Sequence, residues 1–379
     1  MKLTATLAGG FATAVLISVL ACAPGSANAE TELIAAGLNN PRGLDFGPEG
    51  ALYVAEAGIG GSGPCAPTEL GEQCFGHSGA IARIDVHRHR IVRVATGFPS
   101  TARADGSLAA GPADISFQGR GNGYIVIGTQ RDRAAFGPQA RGLAQLARLH
   151  PSGEWDLDAD LEAYEIAFNP ASDQIESDPY GVLALPGKRI VVDAAGNSLL
   201  QVNANRSIVA LAVFPKRLVS APPFPPGVMV PMDEVPTTVA VGPDGDYYVG
   251  QLTGFPFPVG EARVYKVPWQ GGAPQIHATG FTAIIDIAFG EDGSMYVLEI
   301  ARNGLLAALG LGADWAGALI RVAPDGTRSE LAAGELVAPG GVTIGPDGAL
   351  YVTDHSVFAG SGRVLRIRLP AKCGHGGAC

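Results

Sequence analysis

The sequence predicts an all-β protein: a six-bladed β-propeller of four-stranded blades, closed by an N-terminal strand that completes the last blade. Three observations predict it. A tight turn running straight into an apolar strand recurs along the chain. Each copy lies inside a larger unit that reads as four strands. The last unit is one strand short, and a spare strand stands ahead of the first.

The repeat is clearest at residues 345–354, GPDGALYVTD. Near copies are GPEGALYVAE at 47–56, GPDGDYYVGQ at 242–251 and GEDGSMYVLE at 290–299. Weaker copies fill the gap at 119–129 and 185–193, which makes six. Units of this size cannot bury their own apolar face and must stack.

Within each unit the first strand is short and apolar, at 43–46, 114–117, 181–184, 238–241, 286–289 and 341–344. Pro and Gly favour the turn that follows. The second strand is the Leu-Tyr-Val segment. The third alternates apolar with basic or polar residues, at 80–84, 199–202, 263–267, 319–322 and 363–367, as a strand with one buried face does. The fourth carries an ATGF signature at 95–98 and 278–281. After residue 367 no fourth strand follows; LIAAGL at 33–38 supplies it and removes the open edge.

Composition agrees with one closed array. The chain has 379 residues, 47% hydrophobic, with 53 Gly and 28 Pro spread among the strands as turn-rich β proteins require. Only 16% of residues are charged and the net charge is −10, which excludes nucleic acid and anionic membrane surfaces as natural partners. Residues 1–29 read as a signal peptide: Lys2 ahead of an apolar stretch, then Ala27-Asn28-Ala29 as the cleavage site. The propeller then spans 30–370 and a Cys/Gly-rich tail 371–379, in a secreted or cell-surface protein. Val19-Leu20-Ala21-Cys22 also resembles a lipoprotein cleavage box, which would place a lipid anchor on Cys22. No other stretch reaches the ~18 apolar residues of a membrane span. The remaining four cysteines allow three pairings, and local pairing, Cys65–Cys74 and Cys373–Cys379, is the simplest. Free thiols, or a metal held by Cys373, His375 and Cys379, are the alternatives.

Loop lengths divide the two faces. First-to-second and third-to-fourth connections are short turns. Second-to-third and blade-to-blade connections carry the long insertions, at 58–78, 99–111, 131–142, 165–179, 215–236, 253–260 and 301–317. Function sits on loops held by a rigid scaffold, which places a site on the long-loop face around the channel. Insertions are also thermodynamically cheap, so loop length alone permits drift. Residues 301–315 read as a short apolar helix over the channel, a lid or a plug.

Two rings of polar positions converge on that mouth. The second strands end on Glu56, Thr129, Ala194, Gln251, Glu299 and Asp354; the first strands begin near Gly43, Asp114, Gly181, Thr238, Asp286 and Gly341. Glu56, Asn197, Glu299 and Asp354 are the candidate metal ligands, since oxygen donors of mixed charge suit Ca²⁺, the candidate cofactor. The same acids could instead accept hydrogen bonds from backbone N–H groups of neighbouring blades. Arg42, Asp114, Tyr180, Thr238, Gln251, Phe255, Phe257 and Asp286 are candidate ligand-binding residues, and Phe255-Pro256-Phe257-Pro258 offers an apolar rim. His355, directly after Asp354, is the candidate general base, though a surface histidine reads the same way. Zinc-protease and nucleophile-elbow motifs do not occur, and G-x-G stretches such as Gly360-Ser361-Gly362 precede strands rather than helices, so a dinucleotide-binding fingerprint is unsupported.

Several segments together resemble one family. They are PRGL at 41–44, DPYGV at 178–182, DAAGNSLL at 193–200, VPTTVAVGPDG at 235–245, GQLTGFPFPVG at 250–260 and IIDIAFG at 284–290. Over nearly all of the chain after residue 29 the pattern is similar to the ScyD/ScyE family of exported bacterial proteins. That resemblance implies a propeller and export, but no established reaction. More distantly the blades look like NHL repeats and the gluconolactonase and strictosidine synthase propellers. The lactonases of that group hold a catalytic divalent ion with Glu and Asn ligands, to which Glu56 and Asn197 would correspond; the full ligand set is not matched. Three functions follow as expectations. The first is an exported propeller that binds a small molecule or a secreted protein at its long-loop face. The second is a Ca²⁺-dependent hydrolase or lyase. The third is a structural cell-envelope protein.

Overall fold

The computed structural model describes residues 29–369 apart from 120, 131 and 311. Six antiparallel sheets form the six blades of a propeller. Their innermost strands are Pro41–Phe46, Pro112–Gln118, Pro179–Leu185, Pro236–Val241, Ile284–Phe289 and Gly341–Ile344. Four of these open on proline, which has no N–H to leave unpaired at a strand's first position. Glu30–Leu38 pairs antiparallel with Gly362–Arg368, joining Glu30 to Arg368, and so completes blade 6. The expected closure is therefore what the chain does.

The core is a set of apolar layers between adjacent blades. Leu52, Val54, Ala82 and Tyr351 form one between blades 1 and 6; Val126, Leu146, Val182 and Val191 form another between blades 2 and 3. Alternation makes this possible. In a second strand such as Leu350–Asp354, successive side chains face opposite neighbours, and all five residues are buried.

The structure departs from the sequence reading in three places. In blade 1 the third and fourth strands run far beyond the blade, as Gly71–Asp85 and Arg90–Ala102, and Cys65–Thr68 adds a further strand. The expected Cys65–Cys74 disulfide ties that extension together; Cys373–Cys379, Cys22 and the segment 1–28 lie outside the described residues. The insertion after blade 2 contains a helix, α1 (Leu161–Phe168), capped by Asp160 and ended by Asn169 in the left-handed conformation. The expected helix over the channel is a single short piece, α2 (Leu305–Leu309), bounded by Gly304 and Gly310.

Candidate functional site

The innermost strands enter from the long-loop face, so their first residues ring the channel mouth. Asp114 Oδ2 accepts the Val182 N–H of blade 3 at 2.8 Å, and its Oδ1 accepts the Ile115 N–H. Gly43 makes room for it: a Cβ there would run into the Asp114 carboxylate. In the same way Asp286 Oδ2 accepts Val342 N–H of blade 6 at 2.7 Å, while Thr238 Oγ1 of blade 4 donates to its Oδ1 at 2.6 Å. Asp45 takes Phe117 N–H, and Thr353 Oγ1 donates to the Arg42 carbonyl. The aspartate bonds stitch neighbouring inner strands, and Thr353 ties the second strand of blade 6 to the inner strand of blade 1. Between the inner strands of blades 3 and 4 the described residues make no such side-chain stitch. There Gly181 packs closely on the Thr237–Thr238 backbone.

Burial raises the ring acids. Asp114 sits well above the usual carboxylate range, through burial and then the charge of Asp286. Burial alone lifts Asp286 and Asp45 to about 6. Asp178, bonded to Thr129 N–H at 2.8 Å, is lifted by burial to about 7.

Arg42 is the cation of the mouth. It is buried, donating from Nη1 to the Tyr180 hydroxyl at 3.2 Å and from Nη2 to the Ala109 carbonyl at 2.7 Å. Among the described residues no carboxylate lies within ion-pair distance of it. Arg42, Asp114, Tyr180, Thr238 and Asp286 therefore lie together at the channel mouth. Gln251 does not join it. It is fully buried under blade 4, where Nε2 donates to the Glu234 carbonyl at 3.4 Å and Oε1 has no partner.

The four metal candidates do not come together. Each holds a loop. Glu56 accepts Asn39 N–H and two bonds from Arg93, all at 2.8 Å. Glu299 accepts Thr282 N–H, and Asp354 accepts Val337 N–H, both at 2.7 Å. In these three blades the acid at the end of the second strand caps a backbone donor seventeen residues earlier. Asn197 takes Val235 N–H at 3.0 Å and donates to Asp233. The matching positions in blades 2 and 3 are Ile127 and Asp193, which pair with Pro112 and Pro179, not Thr129 and Ala194. Among the described residues no group of three or more His, Cys, Asp or Glu side chains is placed to hold a metal ion.

His355 Nδ1 meets Asp354 Oδ2 at 2.7 Å, and Arg363 Nε meets the same oxygen at 2.7 Å. That orients the ring; among the described residues no hydroxyl or thiol is hydrogen-bonded to its other nitrogen.

Above the mouth the surface turns apolar. Leu108, Leu305 and Trp315 are buried in one cluster, against which Tyr180, Leu252 and Phe257 pack. Phe255 stands 51% exposed, edge-on to Phe257 at 5.9 Å and to Phe224 at 5.8 Å. Val259, Leu306 and Leu309 are exposed beside it, and Ile59, Phe168, Leu218 and Met229 on the other long loops. Leu108 is a participant that sequence reading did not single out; Phe224 lies in the run Pro222-Pro223-Phe224-Pro225-Pro226, which reads from sequence as a further part of the apolar rim.

Fold and site define a six-bladed β-propeller with an acid-stitched channel and an apolar rim. No family model matches the sequence, and no curated protein matches it. Solved structures do. A streptogramin B lyase is 14% identical over 90% of this chain and 98% of its own, with a TM-score of 0.50. A protein of unknown function from Bacteroides thetaiotaomicron is 10% identical over 90% of this chain and 76% of its own, at 0.55. An auxiliary nutrient binding protein from the same organism is 9% identical over 87% and 69%, at 0.51. At such identities the likeness is one of fold alone.

Proposed function

We propose that this chain is an exported binding propeller whose long-loop face holds a small molecule or a secreted protein. One observation carries the reading. Exposed large hydrophobics gather on the long-loop face around Phe255, Val259 and Leu306, beside a channel whose acids are already taken up by backbone donors. An apolar rim above a few fixed polar groups suits binding. The Cys65–Cys74 disulfide supports an oxidising compartment, with or without a lipid anchor at Cys22. Arg42 and Tyr180 are the polar groups that would orient a ligand.

The test is a thermal-shift screen of small metabolites against the folded chain, since a ligand of the native state raises Tm by mass action. Stabilisation by a hit that Phe255→Ser and Leu306→Ser abolish is the expected result. Stabilisation that both variants keep would move the site elsewhere. A second reading, a hydrolase or lyase using His355 as base, rests on the His355–Asp354 bond. It gains ground if a hit is consumed by the wild type and not by His355→Ala. Ca²⁺ enters that reading only if another group completes a site.

A further inference from the structure

The seam between blades 3 and 4, which lacks an inner-strand stitch, is also where a groove of about 650 Å³ opens on the outer wall. Its size lies in the range that small organic ligands occupy. The apolar part consists of Phe214, from the end of blade 3, with Pro274 and Ile276 of blade 4. Phe214 is buried and Ile276 is 55% exposed, so the lining runs from core to solvent. The Tyr265 ring lies 5.4 Å from that of Phe214 and forms the floor between them.

The polar part holds three cations, and they are not equivalent. Lys216 is paired with Asp173 at 2.7 Å and with Asp233 at 3.2 Å. Arg217 is paired with Glu234 at 3.0 Å and with Glu261 at 2.9 Å. Arg263 has no carboxylate within ion-pair distance among the described residues, and it lines the groove together with Tyr265. Glu234, the acid in the wall, is buried and already holds Arg217 and the Tyr265 hydroxyl, the latter at 2.7 Å. Burial first, and then Glu234, push Tyr265 up to about 12, so that hydroxyl keeps its proton and goes on donating. Arg217 thus offsets the charge of Glu234, and the Tyr265 hydroxyl occupies its second oxygen.

The backbone presents Arg263 to the groove. The third and fourth strands of blade 4, Ala262–Val267 and Gln275–Phe281, slip register on both sides of Val264. Bulges of this kind re-aim a side chain. At the lower end Gly271, with φ +88°, lets the turn close onto Leu211 of blade 3, and Gly272 N–H donates to the Leu211 carbonyl at 2.8 Å. The groove is thus closed below, apolar along its length and cationic at one point.

We infer that the groove between blades 3 and 4 binds an organic acid, a carboxylate on an apolar body, with Arg263 taking the carboxylate and Phe214, Pro274 and Ile276 taking the body. A guanidinium with free donors meets a carboxylate in a two-pronged contact that an amide or alcohol cannot reproduce. The site is separate from the long-loop rim, so the two stand or fall apart.

Calorimetric titration of the folded chain at about pH 8, where a carboxylic acid is ionised, tests it with octanoate, octanamide and 1-octanol as probes. Saturable binding of octanoate, at least about tenfold tighter than octanamide, is expected, a gap of ~1.4 kcal/mol. Arg263→Gln should remove that gap and leave octanamide binding as it was. Ala273→Trp, which fills the groove, should weaken all three, and Val92→Ser, exposed on the fourth strand of blade 1, should change none. Melting curves identify any variant that fails to fold; Arg263→Lys, which keeps the charge, then serves in place of Arg263→Gln and should lose only part of the gap. Equal binding of octanoate and octanamide, an unchanged gap in Arg263→Gln, or no saturable binding of any probe would each overturn the inference.

Discussion

The Asp286 carboxylate joins three blades at once: it belongs to blade 5, takes the Val342 N–H of blade 6 at 2.7 Å and receives the Thr238 hydroxyl of blade 4 at 2.6 Å. Charged acceptors of backbone donors contribute more than neutral ones. Asp286→Ala leaves a buried N–H without a partner and is expected to cost about 1–3 kcal/mol in urea unfolding. Asp286→Asn keeps one acceptor and should cost less. An unchanged midpoint in the alanine variant would show that the stitch contributes nothing.

Glu165 gives the stability its pH dependence. It lies on α1, 1% exposed, with neither carboxylate oxygen hydrogen-bonded. Burial, and then the charge of Asp193, lift it from 4.5 to about 7. A folded-state pKa above the unfolded one means stability that is complete below 4.5 and lost as pH rises through about 7. Burial also raises Glu299 to about 7, in the same direction. Melting temperature should therefore fall between about pH 5 and 7. Glu165→Gln should flatten that fall and stabilise the protein at the upper end by ~1–3 kcal/mol. A wild type equally stable at both ends would contradict this.

The Cys65–Cys74 bond closes a loop with a sequence separation of 9. On chain entropy such a closure contributes at most about 2–3 kcal/mol. Cys65→Ser with Cys74→Ser should lower Tm modestly and raise proteolysis within 58–78 while the blades stay folded. Loss of the whole transition would mean that the extension is integral to the ring.

Chelation should have little effect. Glu56, Glu299 and Asp354 are each held by a backbone N–H at 2.7–2.8 Å. EDTA is expected to leave Tm unchanged. A fall that Ca²⁺ reverses would revive the channel-metal reading.

Much of the fold was legible because its signals are local. A Gly-Pro-Asp-Gly turn followed by an alternating strand encodes its own geometry, and six copies need only be stacked. What escaped was non-local or ambiguous. The blade 1 extension pairs small residues, Cys74 with Ala102 and Gly76 with Ser100, with no strong alternation to announce it. α1 had its signal, Asp160 ahead and Asn169 behind, but only eight residues between them. In blades 2 and 3 the second-strand ends were displaced to Thr129 and Ala194 from Ile127 and Asp193; the blade 3 slip is of one residue, which turns the side chain to the other face. The channel acids were found by position, yet residue type does not separate a cap from a ligand. The distance to Val182 or Val342 does.

The pairing of Glu30 with Arg368 sets an order of events. During synthesis the strand 30–38 emerges ahead of the other blade strands and waits until they have followed before its partner exists. Until then blade 6 has an open edge, and the ring cannot lock. A chain cut before Gly362 would be left with the strand 30–38 unmatched.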